Sequence, residues 1–115
     1  MPRTPRAKAK PELAASASVF AALGDENRLR LVSRLCDNGP LSIAKLTAGF
    51  AISRQAITKH LRVMEGAGLV RSRQHGRESV WQLEQKRLAE ARRYLQTISA
   101  EWDQALGRLK SFVER

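Results

Sequence analysis

The hydrophobic positions of this chain change period from one segment to the next, and each period predicts an element. "PELAASASVFAALG" reads as a short, Ala-rich helix. Pro11 suits its first position, where a missing N–H costs nothing, and Gly24 ends it. Asp25 is placed to cap the next helix, with Glu26 in the first turn where a negative charge suits the helix dipole. Leu29, Val32 and Cys36 share one face of that helix with Leu31 and Leu35 flanking, and "DNGP" stops it. The stretch "LSIAKLTAGFAISRQAITKHLRVMEGAGLV" predicts two helices joined by a tight turn. Ser42 caps the first, which carries Ile43 and Leu46 inward and ends near Gly49; Ser53 caps the second, which runs to Glu65 and stops at "GAG". In "LVRSRQHGRESVWQL", two short segments rich in Val, Trp and Leu flank residues 74–77, a β-hairpin in which Gly76 suits a turn position of positive φ.

From about Gln85 to Glu114 the period becomes 3.5. Leu88, Ala91, Leu95, Ile98, Trp102, Ala105, Leu109 and Phe112 are spaced alternately three and four apart. A seam sustained for that length needs another helix to cover it. About thirty residues at ~1.5 Å each reach roughly 45 Å, beyond the body of so small a domain, so a second copy is the expected partner. The expected interface residues are Leu88, Leu95, Ile98, Trp102, Leu109 and Phe112.

At 115 residues, with 43% hydrophobic, the chain is one folded unit with a modest core filled mainly by aliphatic residues, because aromatics are only 5%. The expected organisation is a flexible basic arm at 1–10, a reading domain at 11–83 and a C-terminal dimerisation helix at 84–115. The fold class is mainly α with a small β-hairpin. No run approaches the roughly 18 apolar residues of a membrane span, and no apolar segment follows the basic N-terminus as in a secretory signal. A cytoplasmic setting with no membrane partner is the expectation.

The formal charge of +10 is unevenly distributed. Residues 1–10 hold Arg3, Arg6, Lys8 and Lys10 with no acid, and residues 11–52 balance. Residues 53–77 hold Arg54, Lys59, Arg62, Arg71, Arg73 and Arg77 against Glu65 alone. An excess clustered in this way is the electrostatic footprint of a polyanion binder.

A helical wheel locates the chemistry. With Arg54 at zero, Thr58 falls near ~40°, Arg62 near ~80°, Gln55 near ~100° and Lys59 near ~140°. Val63, Ala56, Met64, Ile57 and Leu61 fill the arc from ~180° to ~340°. The polar half has no carboxylate before Glu65. Its residue types are those that read the major groove: Arg and Lys donate to guanine, Gln pairs with adenine, and Thr bonds a base edge or touches a thymine methyl. Because the N-terminal part of such a second helix enters the groove, Arg54, Gln55 and Thr58 are best placed to reach bases. Ser53, Lys59, His60 and Arg62 complete the candidate set, although the wheel puts His60 inside the apolar arc near ~240°. Arg71, Arg73, His75 and Arg77 make the hairpin a cationic ribbon for the phosphate backbone or minor groove. Double-stranded DNA is thus the expected partner.

Taken together and in order, "FAALGDENRLRLVSRL", "GPLSIAKL", "ISRQAITKHLRVMEGAGLVRSR" and "HGRESVWQL" resemble the winged helix-turn-helix regulators of the arsenic-repressor (ArsR-type) family over about residues 18–83. The resemblance implies a winged helix-turn-helix fold and a homodimeric repressor that binds an inverted repeat overlapping a promoter. Its half-sites would lie about one turn apart, roughly 34 Å. A branch with an extended dimerisation helix resembles the region around Trp102. Some family members sense metals through two thiolates one residue apart in the third helix, where this chain has Ser42 and Ala44. Others use Asp and His on the C-terminal helices, where this chain has Asp103 and no His beyond His75. No metal site and no cofactor are therefore expected, and any small-molecule inducer is unknown.

Cys36 is alone, so it cannot form an intrachain disulfide, and its position on the apolar face predicts a buried filler. No Ser/His/Asp set, carboxylate pair or nucleotide loop is visible, so an enzyme is not expected and no catalytic residue is assigned. The alternative reading is a non-specific, architectural nucleic-acid-binding module. Such a module would rely on aromatic stacking platforms, and the polar face has neither Phe nor Tyr.

Overall fold

The structure is a computed structural model that describes the backbone of residues 4–114 and the side chains of 13–114. In chain order it contains α1 (Thr4–Leu23), α2 (Glu26–Asn38), β1 (Leu41–Ser42), α3 (Ile43–Thr47), α4 (Arg54–Gly66), β2 (Val70–His75), β3 (Glu78–Leu83) and α5 (Gln85–Val113). The strands form one antiparallel sheet in the order β1-β3-β2. No helix is long and apolar enough among the described residues to cross a membrane.

All three expected caps form. The Asp25 carboxylate accepts from the Arg28 N–H at 3.0 Å, the Ser42 hydroxyl from the Lys45 N–H at 3.4 Å, and the Ser53 hydroxyl from the Ala56 N–H at 3.1 Å. Each satisfies one of the donors that a helix start leaves open. At its other end α4 closes through Gly68, whose φ is 78°. The Gly68 N–H donates to the Glu65 carbonyl and the Leu69 N–H to the Met64 carbonyl, the paired bonds of a Schellman ending, with buried Met64 and Leu69 accompanying them. That turn redirects the chain from α4 straight into β2.

The bond from Arg28 N–H is the main reason the Asp25 carboxyl titrates below the usual carboxylate range. A value lower in the folded than in the unfolded chain stabilises the fold above the unfolded value of about 4, and the contribution disappears as pH falls through the folded value. Asp25→Ala is therefore expected to lower Tm at neutral pH and to shrink the loss of Tm between neutral and acid pH. Thermal melts at pH 7 and pH 3 measure both effects.

The core sits where α2, α4 and the sheet meet under α1 and α5. Leu31, Leu35, Leu46, Ile57, Leu61, Met64, Leu69 and Trp81 are buried there with Val19, Ala22 and Ala91. In α5 the seam is covered by its own chain chiefly at the start, and Ile98 is half-buried. Ala91 is buried in the core and Leu88 packs against it, whereas Trp102 is 61%, Leu109 57% and Phe112 72% exposed. From Trp102 onward the helix thus leaves its apolar stripe bare among the described residues.

Three expectations need correction. First, α1 begins at Thr4, well ahead of Pro11, so positions 4–10 are helical rather than an arm. Pro5 in the first turn and the strong helix formers of "AKAK" carry it, at the cost of the N–H that Pro11 lacks. The arm's remaining residues 1–3 lie outside those described. Second, α2 is rotated from the expected phase. Leu31 and Leu35 point inward, while Leu29 and Cys36 are exposed, so Cys36 is not a core filler. The rotation turns Arg28 and Arg34 toward other elements, where both are used. Third, Leu41 and Ser42 add a short strand beside β3, pairing with Trp81 and Val80, before α3 begins.

Candidate nucleic-acid interface

The hairpin is longer and tighter than its sequence suggested. The β2–β3 pairing runs from Val70↔Leu83 to His75↔Glu78, which leaves Gly76 and Arg77 as a two-residue turn. Gly76 has φ 64° and Arg77 has negative φ, the sign pattern of a type II′ turn whose first central residue is glycine. Arg73, His75 and Arg77 are exposed and form no ion pair with any described residue. Arg71 differs. With the Gln82 amide turned to face it, the Arg71 guanidinium donates from Nε and Nη2 to Gln82 Oε1, each at 3.1 Å. Its Nη1 also lies 3.7 Å from Glu84 Oε2. Arg71 therefore braces the base of the hairpin, and the free cations are at its tip.

On α4 the wheel is borne out: Ile57, Leu61 and Met64 are buried, while Arg54, Gln55 and Lys59 are exposed. Neither Arg54 nor Lys59 is paired with an acid among the described residues. Thr58 lies between them and its hydroxyl donates to the Arg54 carbonyl at 3.0 Å. Ser53 spends its hydroxyl on the cap, so its part in the site is to start the helix and aim Arg54 and Gln55. Val63, assigned to the apolar arc, is 48% exposed at the margin of the polar half.

Two residues of the candidate set are engaged elsewhere. His60 is half-buried and faces α2: its Nδ1 lies 3.2 Å from Arg28 Nη1 and 3.8 Å from Asp25 Oδ2. A guanidinium has only donors, so Nδ1 is the acceptor in that contact and the proton of the neutral ring sits on Nε2. Arg62 is held at 2.9 Å by Glu65 and lies over the Trp81 ring, 5.3 Å from its centroid. Trp81 itself is buried under the hairpin.

Two arginines that the sequence reading did not single out hold α4 in place. Arg28 donates from Nε to the Ala22 carbonyl as well as meeting His60, so it ties the end of α1 to the middle of α4. Arg34 donates to the Leu46 and Ala48 carbonyls at the end of α3 and lies 4.8 Å from the Phe50 ring centroid. It clamps the turn between α3 and α4 by satisfying carbonyls that α3 leaves open. Nothing in the sequence marked either residue, because their partners are 6 to 32 positions away.

The free cations of the α4 face and of the hairpin tip thus lie on two adjoining elements, a helix and a two-stranded ribbon. Ser42 caps α3, and the Ala44 side chain offers no donor atom. Arg77→Ala is expected to weaken binding to all duplexes alike and to reduce the slope of log affinity against log salt by about 1. Titrations of one duplex at several salt concentrations measure it.

Comparison with known proteins gives matches along most of the chain. A family described as "Helix-turn-helix domain" matches residues 23–73. The HTH-type transcriptional regulator Rv2034 of Mycobacterium tuberculosis is 38% identical over 87 residues, which cover 76% of this chain and 78% of that protein. The Arsenical resistance operon repressor of Bacillus subtilis is 30% identical over 64 residues, covering 56% of this chain and 61% of that one. Among solved structures, an ArsR-like transcriptional regulator from Rhodococcus sp. RHA1 superposes with a TM-score of 0.73 at 39% identity, covering 87% of this chain and 93% of that one.

Proposed function

The chain belongs to the ArsR family of winged helix-turn-helix transcriptional regulators, DNA-binding proteins rather than enzymes, and from that premise we propose that it is a homodimeric repressor of an inverted-repeat operator. The observation that carries the reading is the acid-free, unpaired polar face at the start of α4, beside the free cations of the hairpin tip. In this reading Arg54, Gln55 and Thr58 read bases, Lys59 meets phosphate, and Arg73, His75 and Arg77 lie along the backbone. Ser53, His60, Arg62 and Arg71 support these residues instead of touching bases. Two copies joined through the bare stripe of α5 present their α4 helices to successive major grooves, about 34 Å apart. Bound across a promoter, such a dimer excludes polymerase. The division into a reading domain and a dimerisation helix follows the end of β3 at Leu83. The resemblance to the Arsenical resistance operon repressor of Bacillus subtilis supports the sign of regulation.

Selection from randomised duplexes near physiological salt tests the proposal. The expected product is a two-fold symmetric motif bound by two protomers; absence of any consensus would contradict it. Repeating the selection with Arg54→Ala is expected to relax one position in each half-site. On the selected duplex that change should cost roughly 1–3 kcal/mol, as for the loss of a bidentate contact to guanine.

A further inference from the structure

The contacts of His60 depend on a proton. Its ring stands at the middle of α4 on the side turned toward α2, with Nδ1 3.2 Å from Arg28 Nη1 and 3.8 Å from Asp25 Oδ2. A guanidinium only donates, so the shorter contact exists while Nδ1 keeps its lone pair. Protonation removes that acceptor. The new Nδ1–H then faces a cation that repels it and a carboxylate that can accept it. The ring thus has two alternative partners, and its own charge chooses between them. Among the described residues the Arg28 contact is also the one side-chain hydrogen bond between α2 and α4.

Both partners are held in place. Arg28 donates from Nε to the Ala22 carbonyl, and Asp25 Oδ2 accepts the Arg28 N–H at 3.0 Å. That backbone bond is the main reason the Asp25 carboxyl titrates below the usual range, so Asp25 stays charged where an imidazole takes up its proton. The other charged groups on the elements packed against α4 do not compete. On α2, Glu26 and Arg30 pair with each other, Arg34 is spent on α3 carbonyls, and Asp37 lies at the far end. The described part of α1, from Leu13 to Leu23, has no charged side chain. Lys45 of α3 and Arg71 and Arg73 of β2 form no hydrogen bond to the ring, and neither do Arg54 and Lys59 of α4 itself, where Arg62 is paired with Glu65. Closing the 3.8 Å gap to a charge-assisted bond of about 2.8 Å takes a shift of about 1 Å toward the start of α2.

We propose that His60 is a proton-responsive positioning residue for the reading face of α4. Neutral, it accepts from Arg28 and seats the helix so that Arg54, Gln55 and Thr58 meet bases. Protonated, it exchanges Arg28 for Asp25, α4 moves with the ring, and discrimination between base sequences falls. The inference rests on the reading of α4 as the element that enters the groove. Its signature differs from that of added charge, since a cation near phosphate strengthens binding to every duplex alike.

The experiment measures, from about pH 8 to about pH 5.5, the affinity of the full chain for the duplex recovered by selection and for the same duplex with its half-site bases exchanged. The ratio of the two affinities cancels charge gained at His75 and at phosphate contacts, which act on both duplexes. For the unaltered chain the ratio should fall about fivefold or more toward acid pH, the smaller end of what one base contact is worth. His60→Gln offers an amide oxygen to Arg28 without titrating, so its ratio should stay high and flat. Nitrogen NMR of the imidazole rings gives a readout that needs neither DNA nor that variant, with His75→Gln to identify the signals of the two histidines. At about pH 8 the His60 proton should sit on Nε2, and the midpoint of its titration should coincide with the midpoint of the fall in discrimination. A ratio that is high but flat in the unaltered chain, an equal fall in His60→Gln, or a His60 proton on Nδ1 at that pH would overturn the proposal alone. A ratio of one at every pH would overturn the reading of α4, and this inference with it.

Discussion

Trp102→Asp combined with Leu109→Asp is expected to break the proposed dimer into monomers and to lower affinity for the proposed two-fold operator about 100-fold or more. Both side chains are large, apolar and more than half exposed on α5, and neither belongs to the core. Covering one such side chain is worth about 1.5–3 kcal/mol. A symmetric interface contains each residue twice, so the paired change removes several kcal/mol and places four carboxylates where apolar contacts stood. Association is then lost while each protomer keeps its fold. The operator affinity falls because the second half-site contact, intramolecular in the dimer, becomes a separate event. Sedimentation reports the assembly, circular dichroism the fold, and titration of the operator the coupling. Binding to a single half-site should change little.

Leu61→Ala should have the opposite profile. Leu61 is 0% exposed, on the inner face of α4 between Ile57 and Met64. Truncating a leucine in such a place costs about 2–5 kcal/mol, through lost transfer energy and the cavity left behind. For a domain of this size each kcal/mol lowers Tm by roughly 4–8 °C, so a fall of 10 °C or more is expected. Val63→Ala, two residues along the same helix, should move Tm by no more than a degree or two, because Val63 is 48% exposed. The two melts side by side test whether α4 is seated in the phase that leaves Arg54, Gln55 and Lys59 free.

That phase was legible in the sequence because α4 obeys local rules from end to end. Ser53 caps it, the Gly66-Ala67-Gly68 segment closes it, and its apolar residues occupy one arc interrupted by His60 alone. The hairpin was legible for a similar reason, Gly76 being the residue its tight turn requires. In α2 the apolar positions Leu29, Leu31, Val32, Leu35 and Cys36 fill an arc of about 160°, as wide as that of α4, and the pattern alone did not say which edge of that arc turns inward. The choice came from Arg28 and Arg34, whose bonds to α1, α3 and α4 are tertiary and leave no local trace. β1 was missed because two residues form no pattern, and its strand exists only by pairing with β3.

The same division runs through the candidate site. Residue type and face identified the set, but the binding role of each cation depends on its neighbours. Arg62 is drawn to Glu65 and the Trp81 ring, Arg71 to Gln82 and Glu84, and His60 to Arg28. Arg54, Lys59, Arg73 and Arg77 remain uncommitted, so a face of ten or so polar residues narrows to a few at the start of α4 and the tip of the hairpin. In α5 the seam was visible as a period, because the apolar residues recur alternately three and four apart.

Sequence-specific reading of DNA is tested most directly by incubating the purified protein with sheared DNA from its own genome near physiological salt and sequencing what it retains. Enrichment of one inverted-repeat motif at a small number of promoters is the expected result. Uniform retention of all fragments, fading together as salt rises, would mean that the α4 face contributes charge but no base recognition.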